Sequence, residues 1–389
     1  MVCASKIKLL YVITKPELGG AQKQLLSLVR LLNKERFEVF LFTAKEGLLL
    51  GDFLAVPGLK IKISRFLERP INPFQDLLAL IEIYRFIKQN KIDIVHTHSS
   101  KAGILGRLAA RLARRRVIIH TVHGWPFNDF QPRLSIKLYV LLERICARLC
   151  DRIIVVANHD LRRGLESGIG EENKYCLIRY GIDYSEFDTG KSSIRKELGI
   201  KTDDRVVGMV SCFKPQKSPL DFVRLAYLVN KELPNTKFIL VGDGILRSRI
   251  KRLISQFHLE KQVILTGWRR DIPQVLTALD VCVLTSLWEG LPISVLEAMS
   301  ASLPVVATDT GGVKEAVQEG ESGFIVPLGD VKKMSERVIA LLKGPELRKQ
   351  FGEKGRLSLG NNFSLKNMVE QTNELYVGLI KTKEGSYVN

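Results

Sequence analysis

The chain predicts an α/β protein of two facing Rossmann-like, doubly wound domains with an interdomain cleft, and three observations carry that expectation. Short β-branched apolar runs alternate with amphipathic helical patterns from end to end, as in parallel sheets covered by helices on both faces. The 389 residues exceed the roughly 100 to 200 of an ordinary single domain. A polar, turn-rich stretch near residues 184–204 divides the strands into two halves of similar size.

In the first half the strands read KLLYVIT, FEVFLFTA, IDIVHTH, VIIHTVH and RIIVVAN, with KIKI as a minor addition. The second half supplies RVVGMVSC, KFILVGDG, QVILTGW, DVCVLTS, LPVVATD and GFIVP. Between them lie segments such as AQKQLLSLVRLLN and SPLDFVRLAYLVNKEL, whose apolar residues recur at helical spacing. In the closing stretch SLKNMVEQTNELYVGLIK, Leu365, Met368, Val369, Leu375, Tyr376 and Leu379 form an apolar face that must dock on something. The expected domains are 1–190 and 191–365, with a helix and tail over 366–389 as a candidate to pack back on the first. Doubly wound sheets bind ligands beyond the carboxyl ends of their strands, so two of them facing each other would enclose a cleft at those ends.

A hydrophobic content of 46% suffices for real cores. The six cysteines, Cys3, Cys146, Cys150, Cys176, Cys212 and Cys282, are scattered without CxxC pairs, which reads as buried thiols in a reducing compartment. No run of eighteen uncharged residues occurs, so a membrane-spanning helix is not expected. The opening MVCASKIKLLYVIT is short, broken by lysines and without a small-residue cleavage pattern; it reads as a strand, and the protein as cytoplasmic, either soluble or peripheral. Net charge is +18, and residues 101–150 hold ten Lys and Arg against Asp129 and Glu143. Such a field concentrates nucleic acid, anionic lipid or phosphorylated small molecules, and charge alone does not choose among them.

The run WEGLPISVLEAMSASLPVVATDTGG holds two carboxylates, Glu289 and Glu297, among residues that read as core. Pro292 suits the first turn of a helix from about Leu291 to Ser302, which leaves Glu289 in the strand-to-helix loop at the sheet's carboxyl edge. Glu297 then lies about two turns into that helix, at ~1.5 Å per residue. Amides at the helix start, near Gly290, Leu291 and Pro292, favour a phosphate, while the carboxylates accept hydrogen bonds from hydroxyls attached to it. Phosphates on amides and hydroxyls on acids fit a nucleotide sugar. The competing reading is two solvated side chains of a loop and a helix.

The E-x7-E spacing of Glu289 and Glu297 resembles the signature of family 4 retaining glycosyltransferases of the GT-B fold. The likeness includes LGGA near residue 20, HTHSSKAG at 96, TVHGWPF at 121, VGDG at 241 and LTGW at 265, and it covers nearly the whole chain. It implies transfer of a sugar from a nucleotide-diphosphate sugar, UDP-sugar foremost, to a lipid-linked or polysaccharide acceptor in cell-surface glycan assembly. The first domain would bind the acceptor and the second the donor. Glu289 would contact the donor sugar and stabilise the reacting face, Glu297 would bind the ribose hydroxyls, and Gly311 and Gly312 would complete the loop after the next strand.

By the same resemblance, the loop of Gly19 and Gly20 would face the donor's diphosphate, where bulky side chains would block approach. A plain left-handed turn is the alternative, and the missing third glycine argues against a dinucleotide site. Lys217 can meet a leaving diphosphate as a mobile point charge. The arginine that the family places five or six residues earlier is replaced by Ser211 and Cys212. Lys214 is a substitute without the bidentate fork, with solvated lysines as the competing reading. His123 matches the family's histidine at the end of its strand, close to donor sugar and acceptor; packing beneath Trp125 is the alternative.

His96 and His98 share one strand face, but no carboxylate motif accompanies them and no DxD occurs, so a transferase without metal or other cofactor is expected. Arg107, Arg111, Arg114 and Arg115 repeat at helical spacing, as do Arg144, Arg148 and Arg152 beside the apolar Leu138, Leu141, Leu142, Ile145 and Leu149. Arg107, Arg111, Arg144 and Arg148 are therefore candidates for a membrane or acceptor face, peripheral on the inner side of the membrane. The alternative turns the stripe to the core and leaves the arginines solvated. Two other functions compete: a nucleotide-sugar epimerase of similar architecture, which needs no acceptor, and a nucleic-acid-binding protein, disfavoured because aromatics are not interleaved with the basic window.

Overall fold

The computed structural model describes residues 6–188, 190 and 193–385. Cys3, three positions around the expected boundary near 190, and the last four residues of the expected tail lie outside the described residues. The chain divides into two compact units: one runs to Gly181 and is resumed at Leu365, and the other is Ile182–Ser364.

The first unit is built on a parallel sheet of β1 (Ile7–Val12), β2 (Phe37–Ala44), β3 (Lys60–Ser64), β4 (Ile94–His98), β5 (Val117–Val122), β6 (Arg152–Val155) and β7 (Tyr175–Leu177), in the order β3-β2-β1-β4-β5-β6-β7. Six of these are the expected runs. The seventh was not foreseen, because three residues pairing along one edge with β6 are too few to show a period. Successive strand residues point to opposite faces. Leu9, Tyr11 and Ile13 join helix Gly20–Leu31 and the closing helix Leu365–Gly385 in one apolar cluster. Leu10 and Val12 join helices Pro73–Asn90, Ser100–Leu112 and Arg133–Leu149 in the other. The closing helix is anchored by buried Met368, Tyr376, Leu379 and Ile380, and the Tyr376 hydroxyl meets that of Tyr11 at 3.0 Å.

The second unit carries β8 (Arg205–Val210), β9 (Thr236–Val241), β10 (Val263–Gly267), β11 (Val281–Leu284), β12 (Val305–Thr308) and β13 (Gly323–Val326), parallel in the order β10-β9-β8-β11-β12-β13. Strand order reverses between β1 and β4 in one sheet and between β8 and β11 in the other. At such switch points the flanking loops part beyond the carboxyl ends and leave room for a ligand. In VGDG, Gly242 has φ 126°, and a Cβ there would run into the Ser211 carbonyl; glycine lets the loop after β9 lie against the loop after β8.

Among the described residues, no helix is long and apolar enough to cross a membrane. Cys146, Cys150 and Cys282 are buried and Cys176 and Cys212 partly so, all as free thiols. Burial pushes Cys146 up to about 11 and, with the charge of Glu297 adding to it, Cys282 up to about 12.

Candidate functional site

The second unit brings Lys217 and Glu289 together at its switch point. After β8 the chain turns through Pro215–Lys217, and after β11 it loops through Thr285–Pro292 into helix Ile293–Ser300. Backbone and side-chain hydrogen bonds lace the two loops. Thr285 Oγ1 serves the carbonyls of Lys217 and Ser218, each at 2.9 Å. Leu287 N–H donates to the Gln216 carbonyl at 2.8 Å, and Gln216 Nε2 donates to that of Trp288 at 2.9 Å. Held this way, Lys217 Nζ pairs with Glu289 Oε1, and Ser286 Oγ donates to the same oxygen at 2.6 Å. The side chains of Lys217 and Glu289 are 19% and 6% exposed, and Glu297, within the helix, is 8% exposed. The solvated alternative therefore fails for both acids.

Two details of the expected helix change. It begins at Ile293, and Pro292 occupies the cap position in extended conformation. Proline has no N–H, so Pro292 cannot offer a phosphate an amide; the first-turn amides without an intrahelical acceptor are those of Ile293 and Ser294. Gly290 and Leu291 stay in the loop just before them. The glycine pair after β12 fixes this loop from the other side: Gly312 N–H donates to the Gly290 carbonyl at 2.6 Å. Gly311 has φ 53°, and a Cβ there would strike the Glu289 carbonyl. Lys214 is half-buried at the cap of the Pro215–Lys217 turn. Where the family has its arginine, Ser211 is buried and Cys212 partly so.

In the first unit, His98 ends β4 and His123 follows β5. Their Nδ1 and Nε2 lie 2.8 Å apart, and His123 Nδ1 meets the Tyr180 hydroxyl at 2.7 Å. The His123 ring stacks on both neighbours. Trp125 is occupied elsewhere, with Nε1 donating to the Asp160 carbonyl at 2.8 Å. Behind His98, His96 bonds the Tyr376 hydroxyl at 2.5 Å and Thr121 Oγ1 at 2.7 Å, and His120 Nδ1 bonds Thr97 Oγ1 at 2.9 Å. Burial holds all four imidazoles well below the usual histidine value, His96 and His123 at about 3, so they are neutral at pH 7. His98 and Tyr180 thus orient His123, a role the sequence reading had not given them; the available signals were the position of His98 at a strand's carboxyl end and the tyrosine just past the unrecognised β7.

Gly19 caps helix Gly20–Leu31 with φ −126°, an extended residue, and the cap has no side-chain hydrogen bond. The left-handed alternative is thereby set aside. Next to this helix start is a cavity of about 450 Å³ lined by Lys15, Gln22, Ser99, Ile104, Tyr139 and Leu142, among others. It was not foreseen, because its lining comes from four separate stretches of the chain.

Arg107 needs correction. It is fully buried, not part of any surface: Nη2 donates to Glu143 Oε2 at 2.7 Å and Nε to the Gly103 carbonyl at 2.8 Å. Four-residue spacing links it to Arg111, but Arg107 lies mid-helix, opposite a glutamate of the adjacent helix, whereas Arg111 is in the exposed last turn. Arg144 is exposed, with Nε on the Ser167 carbonyl at 2.7 Å, and Arg148 is exposed as well. Leu138, Leu141 and Ile145 face solvent, while Leu142 and Leu149 are partly buried. Among the described residues no three His, Cys, Asp or Glu side chains converge as metal ligands would.

Residues 18–186 match the family described as Glycosyltransferase Family 4, and residues 190–358 match Glycosyl transferases group 1. Over 386 residues the chain is 35% identical to the Escherichia coli UDP-Gal:alpha-D-GlcNAc-diphosphoundecaprenol alpha-1,3-galactosyltransferase, covering 97% of this chain and 99% of that one. It is 26% identical over 333 residues to the Campylobacter jejuni N,N'-diacetylbacillosaminyl-diphospho-undecaprenol alpha-1,3-N-acetylgalactosaminyltransferase, covering 82% and 86%. Anabaena HepE in complex with UDP-glucose shares the fold, with a TM-score of 0.84 at 20% identity over 96% of this chain and 100% of that one. With both units matched and a relative at that identity spanning nearly all of each chain, the protein belongs to the family 4 glycosyltransferases, with the GT-B fold.

Proposed function

We propose that this glycosyltransferase moves a sugar from a UDP-sugar, with retention of configuration, to a hydroxyl of a sugar carried on a diphospholipid. The observation that carries the reading is the meeting of Lys217, Ser286 and Glu289 at the second unit's switch point, just before the amides of a helix start. The UDP-galactose and diphosphoundecaprenol in the name of the Escherichia coli relative support this choice of donor and acceptor. So does the UDP-glucose held by the fold neighbour.

In the proposed reaction the bond between the anomeric carbon and the diphosphate oxygen breaks, and the acceptor hydroxyl adds on the same face. Its proton passes to a donor phosphate oxygen. Lys217, Lys214 and the amides of Ile293 and Ser294 hold the charge of the departing UDP, so no metal or other cofactor is called for. Glu289 accepts hydrogen bonds from the sugar and stabilises its oxocarbenium-like state, and Glu297 accepts from the ribose hydroxyls. In the first unit, the cavity beside Gly19 and Gly20 combines apolar Ile71, Ile104 and Leu142 with Lys15, Arg69 and Lys101, which are paired with Glu46, Glu17 and Asp76. The apolar part suits a lipid tail, and the cations would exchange their carboxylate partners for its diphosphate. Neutral His123, steadied by His98 and Tyr180, orients the attacking sugar. A lipid-borne acceptor places the reaction at the cytoplasmic surface of a membrane.

The test is incubation with UDP-galactose or another UDP-sugar and a GlcNAc-diphospholipid, with the anomeric configuration of the product read by NMR. An α-linked product from an α-linked donor is expected. A β-linked product, or an epimerised donor formed without acceptor, overturns the assignment.

A further inference from the structure

The carboxyl ends of three strands in the first unit supply one linear chain of hydrogen bonds. His98 Nδ1 lies 2.8 Å from His123 Nε2, and His123 Nδ1 lies 2.7 Å from the Tyr180 hydroxyl. His98 and Tyr180 are buried, and His123 between them is half-buried. The far nitrogen of His98, Nε2, is buried and, among the described residues, has no hydrogen-bond partner. His96 behind it differs, with Nδ1 on the Tyr376 hydroxyl and Nε2 on Thr121 Oγ1.

The protons of this chain can be counted. With both rings neutral, each imidazole carries one N–H and the tyrosine one O–H, so three protons serve two hydrogen bonds. The spare proton stands at one end, on His98 Nε2 or on the Tyr180 oxygen. If the hydrogen bonds run from Tyr180 towards His98, it sits on His98 Nε2, where a buried N–H without an accepting group carries its full desolvation penalty. An unmet donor of that kind is rarer in folded proteins than an unmet acceptor. If they run from His98 towards Tyr180, His98 Nε2 keeps only a lone pair. The spare proton then belongs to a hydroxyl, which rotates to suit its surroundings. The chain next to Tyr180 is firmly held: Gly181 N–H and carbonyl each bond the Gln24 side chain at 2.9 Å. Gln24 belongs to helix Gly20–Leu31, whose Gln22 lines the cavity assigned to the acceptor.

We propose that His98 is a positioning residue that sets the direction of this chain: its Nδ1–H donates to His123 Nε2, and His123 Nδ1–H donates to Tyr180. The Tyr180 hydroxyl then turns its own proton outward as a hydrogen-bond donor to an oxygen of the bound acceptor sugar. This role rests on the transferase reading above, in which the first unit binds the acceptor and a donor phosphate oxygen receives its proton. Both nitrogens of His123 are engaged within the chain, so the ring takes no proton from the attacking hydroxyl. What reaches the sugar is a hydrogen bond whose polarity was decided two residues away, at a buried nitrogen that has nothing to donate to.

The experiment replaces His98 by Asn, Asp and Leu in the full chain. The Asn amide nitrogen donates from the place of Nδ1, the Asp carboxylate only accepts there, and Leu does neither. Nitrogen-15 NMR of the ligand-free protein at about pH 7.5, above the histidine range, should show His98 and His123 of the wild-type chain both protonated on Nδ1. His98→Asp should move the His123 proton to Nε2 and so turn the Tyr180 hydroxyl inward, whereas His98→Asn should keep it on Nδ1. Transfer to a GlcNAc-diphospholipid is then measured at saturating UDP-sugar. His98→Asp, His98→Leu and Tyr180→Phe should each lower kcat/KM for the acceptor by about 10- to 100-fold, the usual loss when the partner that orients an imidazole is removed. KM for the UDP-sugar should hardly move, and His98→Asn should recover most of the rate. Adding Tyr180→Phe to His98→Asp should lower the rate no further, since both remove the same outgoing donor. A wild-type His123 proton on Nε2 overturns the proposal, as do equal transfer by the Asn and Asp variants and losses that add in the double variant. Should His98→Asp not fold, the wild-type spectrum and the difference between Asn and Leu decide. The nitrogen signals are read without turnover, so they separate failure of this direction from failure of the transferase assignment.

Discussion

Replacing Glu289 by Gln should uncouple nucleotide binding from sugar transfer. The side chain is 6% exposed and its Oε1 is shared by Lys217 and Ser286. An amide keeps its shape and the Ser286 hydrogen bond while removing the charge that occupies the lysine. Two unit charges about 4 Å apart attract by ~4 kcal/mol at an effective dielectric constant of 20. Because Lys217 is only 19% exposed, part of that attraction becomes available to an incoming diphosphate. UDP affinity should stay level or tighten by up to about tenfold, ~1.4 kcal/mol. Transfer should fall by about 10²- to 10³-fold, the usual loss on removing one preorganised electrostatic stabiliser. Lys217→Met should do the reverse at the binding step, weakening UDP by about 10- to 150-fold through loss of a charge-assisted hydrogen bond of ~1.5–3 kcal/mol. Calorimetric titration with UDP and transfer rates at saturating donor measure the two effects. A Glu289→Gln enzyme that binds UDP more than about tenfold more weakly yet transfers normally would refute the reasoning.

Arg107→Met strands Glu143, which is 1% exposed, and should cost about 3–5 kcal/mol in urea unfolding, with Glu143→Leu added to it restoring most of the loss. Failure of the double variant to recover would mean that the pair does more than satisfy itself. Stability should also decline on acidification. Burial keeps His96, His98 and His120 neutral in the folded chain, whereas the unfolded chain takes up protons below about pH 6.5. The native state is therefore fully favoured above that pH and loses ground below it, by about 2 kcal/mol per histidine between pH 7.5 and 5. A flat urea midpoint over that interval would contradict the assignment of neutral rings.

The fold was legible because both sheets are nearly continuous apolar runs, a signal that survives without knowledge of partners. β7 was not, since an edge strand of three residues carries no period. The position of the Glu289 loop was legible for a similar reason: Glu289, Glu297 and the Gly311–Gly312 pair lie in one stretch whose register against the strands is set locally. The sequence could not reveal that Lys217 pairs with Glu289, because that contact depends on hydrogen bonds between loops 72 residues apart. Arg107 shows the opposite failure. Helical spacing groups residues by direction but is silent on which neighbour lies there, and a glutamate 36 residues away turned an expected surface cation into a core one. The same silence left two orientations open for the leucine stripe of helix Arg133–Leu149, and Leu138, Leu141 and Ile145 take the outward one.

The course of the chain has a consequence for its synthesis. One face of the first sheet is completed by Met368, Tyr376, Leu379 and Ile380, residues translated after the entire second unit. While the ribosome works through that unit, the emerging protein must carry a partly uncovered oily face, a hazard for any partly made polypeptide. Release stopped at Ser364 should leave the part of this face that helix Gly20–Leu31 does not cover permanently bare, yielding a product that clumps or binds chaperones even though every strand of both sheets has been made.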